Sequence, residues 1–410
     1  MEKEVQHKAY KFRLLPTEEQ SVLLSKHFGC VRFVYNHFLK EKQDHYLLNK
    51  KTKNFNNCCI SLTNLKKQQE HRWLSEVNSQ SLQASLKNLE TAYGRFFKNQ
   101  SKFPKFKSKK NNINSFHVPQ RVDVDGNKVC IPKFKEGIKF IKHREIKGEI
   151  CSVTISRTST GKCYVSILTQ QEPTKLLPKA NKSVGIDLGL KDFLITSDGR
   201  RFKNERFLKI HLKQLKQQQK HFSRKQKDSN RKERQRLKVA RLHEKITNSR
   251  NNQHHQISSF LIKQYDLIGL ESLNVKGMMA NHKLSQSISD ASWSGFVSKL
   301  EYKAKWYGKE VVRIETFFPS SKTCNNCGHQ KSDLSLKDRE WTCLQCNTKH
   351  DRDVNAARNI LQRALTIQSS GTDDYRHGAK IRPKEKSKGK SVEVSKKKVY
   401  VIRDLKPIDL

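Results

Sequence analysis

The spacing of apolar residues predicts a strand and two helices in the first quarter of the chain. Apolar and polar residues alternate over residues 8–16, which predicts a strand that ends at Pro16. Thr17 then has the position of an N-cap, with Gln20 at the third helical residue, and helical spacing follows. Residues 79–99 carry a second helical apolar stripe, made of Leu82, Leu86, Leu89, Tyr93, Phe96 and Phe97.

Short strands follow the helices. Residues 115–169 read as several short strands, the last two forming a hairpin with a turn at Gly161, and residues 170–182 form a Pro/Lys linker. A strand, a helical insert and further strands together predict a small β-barrel that is interrupted by a helical module.

The second half of the chain has a different pattern. Three short strands begin near residue 183, with turns at residues 189–190 and 198–199, and a basic helical stretch follows. An apolar strand that ends at Glu271, an amphipathic helix at 292–308, a strand at 309–316 and a final helix from residue 352 complete the order. This order predicts an RNase H-like sheet, and so an α/β multidomain protein.

Charge and composition narrow the function. Lysine and arginine outnumber aspartate and glutamate by 83 to 39, which leaves a net charge of +44 and favours a polyanion as partner. No apolar run approaches the roughly 18 residues of a spanning helix, and the first residues lack the apolar region of a secretory signal. Ten cysteines in 410 residues do not suggest a disulfide scaffold. We therefore expect a cytoplasmic, nucleoid-associated protein with reduced thiols.

Two acidic residues lie on apolar strands. Asp187 is in the strand "SVGIDLGL" and Glu271 ends "DLIGLE". A carboxylate on a buried strand is costly unless a cation compensates it, and adjacent strands lie about 4.8 Å apart, so both acids can share a metal. The alternative, acids that turn to solvent at strand ends, is about equally favoured for either residue alone. Asp192 and Asp198 lie in turns and are read as structural.

Four cysteines form two Cys-x-x-Cys pairs: Cys324, Cys327, Cys343 and Cys346. This spacing predicts a zinc ribbon, in which four thiolates hold one structural zinc ion. His329 and His350 are rival ligands, but four cysteines already complete a tetrahedral site. The other alternative is a chance pairing of free thiols.

Two aspartates follow the second cysteine pair. If the last helix begins near Arg352, Asp351 is its N-cap, and helical spacing carries Asp353 onto the inward face with Ala356, Ala357, Ile360 and Ala364. Small alanines there allow the helix to lie close to the sheet. Asp351 aligns instead with the outward face, which is predicted to include Asn355, Arg358 and Gln362. The alternative for Asp353 is a second acid favoured by the helix dipole.

The segments "KFPKFKSK", "VGIDLGLKDF", "IGLESLNVKGM" and "HDRDVNAARNIL" resemble TnpB, the insertion-sequence protein formerly named the OrfB transposase and related to type V CRISPR effectors. The resemblance implies an RNA-guided DNA endonuclease whose RuvC acids are Asp187, Glu271 and Asp353. The expected domains are a wedge barrel (1–16 and 115–180), a helical recognition lobe (17–114), a RuvC-like nuclease (181–318 and 351–367), a zinc-ribbon insert that binds target nucleic acid (319–350) and a disordered basic tail (368–410).

The expected cofactors are two catalytic Mg²⁺ ions, one structural Zn²⁺ ion and a guide RNA. Asp187 is expected to bridge both magnesium ions, while Glu271 and Asp353 each hold one. The expected partners are guide RNA and double-stranded target DNA, in a monomeric ribonucleoprotein. Two alternatives remain: a transposase that joins strands directly, and an RNA-guided repressor that binds DNA without cleavage.

Further residues are predicted to contact nucleic acid. Gln80 and Gln83 lie on a polar helix face, and glutamine can pair bidentately with adenine, so they are candidates for reading the flanking DNA motif. The candidate phosphate contacts are Lys102, Lys105 and Lys107, and Lys11 and Arg13 on the first strand are further candidates. A solvated helix face and a generic basic loop are an equally favoured alternative.

Overall fold

The structure is a computed structural model that describes residues 5–109, 114–335 and 338–370. The predicted basic tail begins at residue 368, where the structure still has the end of the last helix. The remainder of that predicted tail, residues 371–410, lies outside the described residues.

The first sheet has seven antiparallel strands: β1 (Gln6–Leu14), β2 (Asn114–Val118), β3 (Asp123–Asp125), β4 (Lys128–Ile131), β5 (Phe134–Ile141), β6 (Glu149–Arg157) and β7 (Cys163–Gln171). Their order is β2-β6-β7-β1-β5-β4-β3. Alternate residues of β1, namely Tyr10, Phe12 and Leu14, are buried, as the sequence alternation predicts. The β6–β7 turn places Gly161 at φ +84°, in the left-handed region that glycine tolerates.

Three α-helices and one 3-10 helix lie between β1 and β2 in the chain: α1 (Glu18–Asn49), α2 (Phe55–Lys67), a 3-10 helix (Gln69–Glu76) and α3 (Ser79–Phe97). The capping box of Thr17 and Gln20 is confirmed, because both hydrogen bonds are present. Four members of the predicted α3 stripe are buried. The prediction is wrong for Phe97, which is 63% exposed because the last turn of α3 extends beyond the core.

The second sheet has five strands: β8 (Ser183–Leu188), β9 (Asp192–Thr196), β10 (Arg201–Lys203), β11 (Leu267–Glu271) and β12 (Glu310–Ile314). The strand order is β10-β9-β8-β11-β12. The strands β8, β9 and β10 form an antiparallel meander, whereas β8, β11 and β12 are parallel. The connecting helices are α4 (Phe207–Ser223), α5 (Asn230–Gln264), α6 (Val275–Met278), α7 (His282–Ala291) and α8 (Trp293–Tyr307).

Helices cover both faces of the second sheet. On one face, Ile186, Ile268 and Leu270 pack in a core with residues of α5 and α8. On the other face, Leu267, Val312 and Ile314 pack with apolar residues of the last helix, α9 (Arg352–Ser369). Because side chains alternate along a strand, Asp187 and Glu271 lie on the face that α9 covers.

A two-stranded ribbon separates β12 from α9. It pairs β13 (Glu340–Thr342) with β14 (Lys349–Asp351), and β14 continues directly into α9. Across the ranges that the structure describes, no helix has the length and apolar character needed to span a membrane.

Candidate functional site

Asp187 and Glu271 lie side by side at the carboxyl ends of two parallel strands. Leu270 of β11 pairs with Ile186 of β8, and each acid is the next residue of its strand. The two carboxylates therefore leave the sheet at one edge and on one face. Both residues are intermediate between buried and exposed.

Two glycines allow α9 to approach this face closely. A Cβ atom at Gly185 would lie 2.0 Å from the carbonyl oxygen of Ala357, and one at Gly269 would lie 2.8 Å from the Cβ atom of Ala364. Each glycine precedes one of the two strand acids by two residues. The small alanines of α9 were expected to permit this close packing, and the two glycines of the sheet contribute to it as well.

The start of α9 brings the third acid to the same edge. Asp351 is confirmed as the N-cap, since its Oδ1 accepts a hydrogen bond from the Val354 amide at 2.9 Å. Asp353 lies in the first turn with only 17% of its side chain exposed. Its carboxylate faces the guanidinium group of Arg339, with an Oδ2–Nη1 distance of 3.4 Å. The two aspartates thus have different surroundings.

Asp187 is the acid that the other two influence electrostatically. Burial, together with the negative charges of Glu271 and Asp353, raises the pKa of Asp187 to about 7, while Arg352 and Arg339 oppose this shift. Burial also raises the pKa of Glu271, and a hydrogen bond from Ser320 partly opposes the increase. A cation bound between the carboxylates would relieve both the burial cost and the repulsion.

The donor set fits a hard divalent cation such as Mg²⁺, which prefers carboxylate oxygens. Within the described ranges, three or more potential metal-ligand atoms lie within 4.8 Å of one another only at the four cysteines. The three carboxylates are therefore spread more widely, with Glu271 held by Ser320 and Asp353 facing Arg339.

The four cysteines come together as the sequence predicts. The Sγ atoms of Cys324 and Cys346 are 3.6 Å apart, as are those of Cys327 and Cys343. His350 lies beside the cluster rather than within it, with its Nε2 atom 3.0 Å from the Cys324 Sγ atom and its ring against Trp341. The arrangement fits one zinc ion with four thiolate ligands.

Two asparagines of α9 tie this cluster to the second sheet. The Asn355 amide donates to the Thr323 carbonyl at 2.7 Å, and its Oδ1 accepts from the Asn325 amide at 3.0 Å. The Asn359 amide donates to the carbonyls of Ser320 and Thr323. The predicted outward position of Asn355 is wrong: the residue is 2% exposed, because the first cysteine loop packs over that side of α9.

The sequence does not predict the role of two residues at this edge, Ser320 and Arg339. The Ser320 hydroxyl donates to Glu271 Oε1, and Arg339 faces Asp353. Neither residue has a distinctive signal, since Ser320 is one of two adjacent serines and Arg339 is one of 83 basic residues. Their contacts depend on how the ribbon folds back onto the sheet.

The residues predicted to read flanking DNA lie on and near α3. The Gln80 Nε2 atom donates to Gln120 at 3.3 Å, while its buried Oε1 atom has no hydrogen-bond partner among the described residues; Gln83 is exposed. Lys102 and Lys105 are also exposed. Lys107 is exposed as well, but its ammonium group packs on Tyr35, 3.9 Å from the ring centroid, and this partial burial lowers its pKa.

Lys11 lies in a groove between the first sheet and α5. The groove has a volume of about 640 Å³, and Tyr164, Arg236, His243 and Asn251 also line it. The Lys11 ammonium group lies 4.7 Å from the ring centroid of Tyr164. Arg13, two residues further along β1, is exposed. Lys11 and Arg236 give this groove positive charge, although Glu244 also lines it.

Three family descriptions match parts of the chain. Residues 293–360 match "Cas12f1-like, TNB domain", residues 166–282 match "Probable transposase", and residues 1–51 match "Helix-turn-helix domain". In the last region, the described residues form strand β1 and the single long helix α1. The first match contains the cysteine cluster and Asp353.

The fold is similar to that of a Cas12f1 protein. A solved structure, "Cryo-EM structure of the Cas12f1-sgRNA-target DNA complex", aligns with a TM-score of 0.52 at 15% sequence identity, over 84% of this chain and 83% of that one.

Full-length relatives identify the family. A Streptomyces pristinaespiralis protein named "Putative RNA-guided DNA endonuclease" is 37% identical over 89% of this chain and 91% of its own length. An Escherichia coli protein, "Putative RNA-guided DNA endonuclease InsQ", is 30% identical over 88% and 94%. A mimivirus "TnpB-like protein" is 26% identical over 58% of this chain and 48% of its own. The chain belongs to the TnpB family.

Proposed function

We propose that this protein is an RNA-guided DNA endonuclease encoded by an insertion sequence, with a RuvC-type site formed by Asp187, Glu271 and Asp353. The convergence of these acids at one edge of the second sheet carries the proposal. The strand order β10-β9-β8-β11-β12, with α9 against β8, supports an RNase H-like nuclease domain. The names of the two most fully aligned relatives agree with this activity.

Each acid has a defined task in the proposed reaction. Asp187, whose pKa both other acids raise, would contact both magnesium ions, while Glu271 and Asp353 would each hold one. When bound, the ions would polarise the scissile phosphate and stabilise the departing 3′ oxygen. Arg339 and Arg352 supply positive charge beside the carboxylates, and the rigid β8–β11–α9 packing fixes the spacing of the ligands.

The rest of the chain supplies the affinity for nucleic acid. A net charge of +44 suits a guide RNA and an RNA–DNA heteroduplex, whose backbones are dense polyanions. We infer that pairing with the guide selects the target, while α3 reads a short flanking motif through Gln80 and Gln83. Gln83 is exposed and could meet a base directly, whereas the buried Oε1 atom of Gln80 would do so only after its side chain moves. Lys102 and Lys105 would contact phosphates.

Asp187→Ala tests the proposed catalytic site. The purified protein–RNA complex should cut a plasmid that carries a matching target in Mg²⁺ and not in EDTA. Asp187→Ala should abolish cutting, because it removes the central carboxylate, yet leave RNA-guided DNA binding near wild type. Asp125→Ala, at an exposed acid at the end of β3 in the first sheet, is the matched control and should cut normally.

The outcomes separate the alternatives. Equal loss of DNA binding and cleavage in Asp187→Ala would make Asp187 a structural residue. Joined rather than cut products would indicate a strand-transfer transposase, and guided binding without cutting by the wild type would indicate a repressor.

A further inference from the structure

Glu271 has a single side-chain hydrogen-bond partner within the described part of the chain, and that partner is Ser320. Ser320 lies in the segment between β12 and the first cysteine pair and is 4% exposed. An ionised carboxylate only accepts hydrogen bonds, so the serine hydroxyl must be the donor. Hydrogen bonds to ionised groups are about twice as strong as neutral ones.

The backbone of Ser320 is itself held from α9. The Asn359 amide donates to the Ser320 carbonyl at 2.8 Å and also to the Thr323 carbonyl. Thr323 immediately precedes the zinc-site residue Cys324, and the Asn355 amide donates to the same Thr323 carbonyl at 2.7 Å. Both asparagines are buried, at 2% and 5% exposure. The segment is thus held at Ser320 and again beside the cysteine cluster.

A single helix therefore sets the position of all three acids. Asp353 belongs to α9, and Asp187 lies on the strand that α9 contacts closely through Gly185. Glu271 is connected to α9 through Ser320 and Asn359. Without Ser320, a glutamate side chain at the edge of a sheet would have several rotamers open to it, and fixing one of them on metal binding would cost conformational entropy.

We propose that Ser320 is a positioning residue that orients the Glu271 carboxylate for metal binding, and that Asn359 and the zinc ribbon hold Ser320 in place. This inference rests on the proposed nuclease function. It makes the ribbon part of the support of the catalytic site, because one backbone segment carries both Ser320 and Cys324.

Metal binding gives a test that does not depend on cleavage. Mn²⁺ binding to the protein–RNA complex is measured by titration calorimetry, and zinc content and thermal unfolding are measured on the same samples. Loss of a hydrogen bond to a metal ligand typically weakens metal affinity about 10–100-fold, which is the expected effect of Ser320→Ala. Ser321→Ala is the matched control: Ser321 is the next residue, and it makes no side-chain hydrogen bond within the described ranges. It should bind Mn²⁺ like the wild type.

Two further variants separate positioning from simple packing. Ser320→Thr keeps the hydroxyl and should restore most of the Mn²⁺ affinity; a folded, zinc-loaded Thr variant as weak as the Ala variant would overturn the role of the hydrogen bond. Asn359→Ala should also weaken Mn²⁺ binding, and the double variant with Ser320→Ala should be no weaker than the worse single variant. If the losses of Mn²⁺ affinity in the two single variants added up in the double variant, Asn359 would not act through Ser320.

The results distinguish this inference from the proposed function. Equal Mn²⁺ affinity in wild type and Ser320→Ala would overturn only the role of Ser320. A wild-type complex that binds no Mn²⁺ would overturn the carboxylate metal site and this inference together.

Discussion

Gly185→Ala should damage both stability and cleavage, although alanine is the smallest possible side-chain addition. The new Cβ atom would lie 2.0 Å from the Ala357 carbonyl oxygen, 2.5 Å from the Leu361 amide nitrogen and 2.9 Å from the Leu361 Cβ atom. Two of these atoms are helix backbone, so no side-chain rotation can relieve the clash. Ordinary contact begins near 3.4 Å, so α9 must move away from β8 by about 1.4 Å.

The size of the effect follows from that displacement. Overpacking in a well-packed core typically costs about 1–3 kcal/mol, and a clash with backbone belongs at the upper end, so we expect a loss of about 3 kcal/mol. The same movement carries Asp353 away from Asp187. A misplacement of about 1 Å can slow catalysis about 100-fold, and we expect at least that reduction in the single-turnover cleavage rate.

Two other glycines give a graded comparison. At Gly269 the closest approaches are 2.8 Å to the Ala364 Cβ atom and 3.1 Å to the Ile360 carbonyl oxygen, so Gly269→Ala should be milder. A Cβ atom at Gly94, inside α3, would meet no atom of another element within 4 Å in the described part of the chain, and Gly94→Ala should stabilise the helix by about 1 kcal/mol. Thermal unfolding and single-turnover cleavage should rank the variants in this order. A Gly185→Ala protein with wild-type stability and rate would refute the close packing of α9.

Three more outcomes are expected. Cys324→Ser should reduce bound zinc toward zero as measured by atomic emission, because a structural site needs all four ligands; a fully loaded, stable variant would contradict the four-cysteine site. Burial lowers the pKa of Lys303 to about 8, so between pH 8 and about 10.5 the unfolded state holds a proton that the folded state lacks. The free energy of unfolding therefore rises with pH over this range, and Lys303→Met should remove the rise. If the melting temperatures of the wild type and of Lys303→Met changed with pH in parallel, Lys303 would not be the cause of the rise. Gln80→Ala should relax the flanking-motif preference in a randomised-flank screen, whereas Lys105→Ala should weaken binding to all targets and lessen its salt dependence. If Gln80→Ala left the flanking-motif preference unchanged, residues other than Gln80 would read the motif.

The sequence predicted the structure correctly where a few adjacent residues determine it. The Thr17 capping box and the Asp351 N-cap follow from a few adjacent residues, and both are present. The four cysteines likewise converge because two short knuckles set their spacing. Burial cost on an apolar strand was enough to select Asp187 and Glu271 as candidates.

Contacts between segments that are distant in the chain could not be predicted from the sequence pattern. Helical spacing predicts that Asn355 faces outward from α9. The residue is buried because the first cysteine loop packs over it. Ser320 resembles its neighbour Ser321 in sequence, and its contact with Glu271 depends on the path of the chain after β12. Phe97 follows the helical period, but the core ends before the last turn of α3.

The position of α9 in the chain has a consequence for protein synthesis. This helix packs on β8, β9, β11 and β12, yet it is the last element to leave the ribosome among those described. Until it does, the nascent chain lacks both the third carboxylate and the helix that covers one face of the sheet carrying Asp187 and Glu271. Products of early termination before residue 352 would therefore retain the first sheet and its helical insert but have no complete set of acids. Under the proposed function, nuclease activity begins only after α9 (Arg352–Ser369) has been translated and the ribbon has formed, which keeps incomplete chains from cutting DNA.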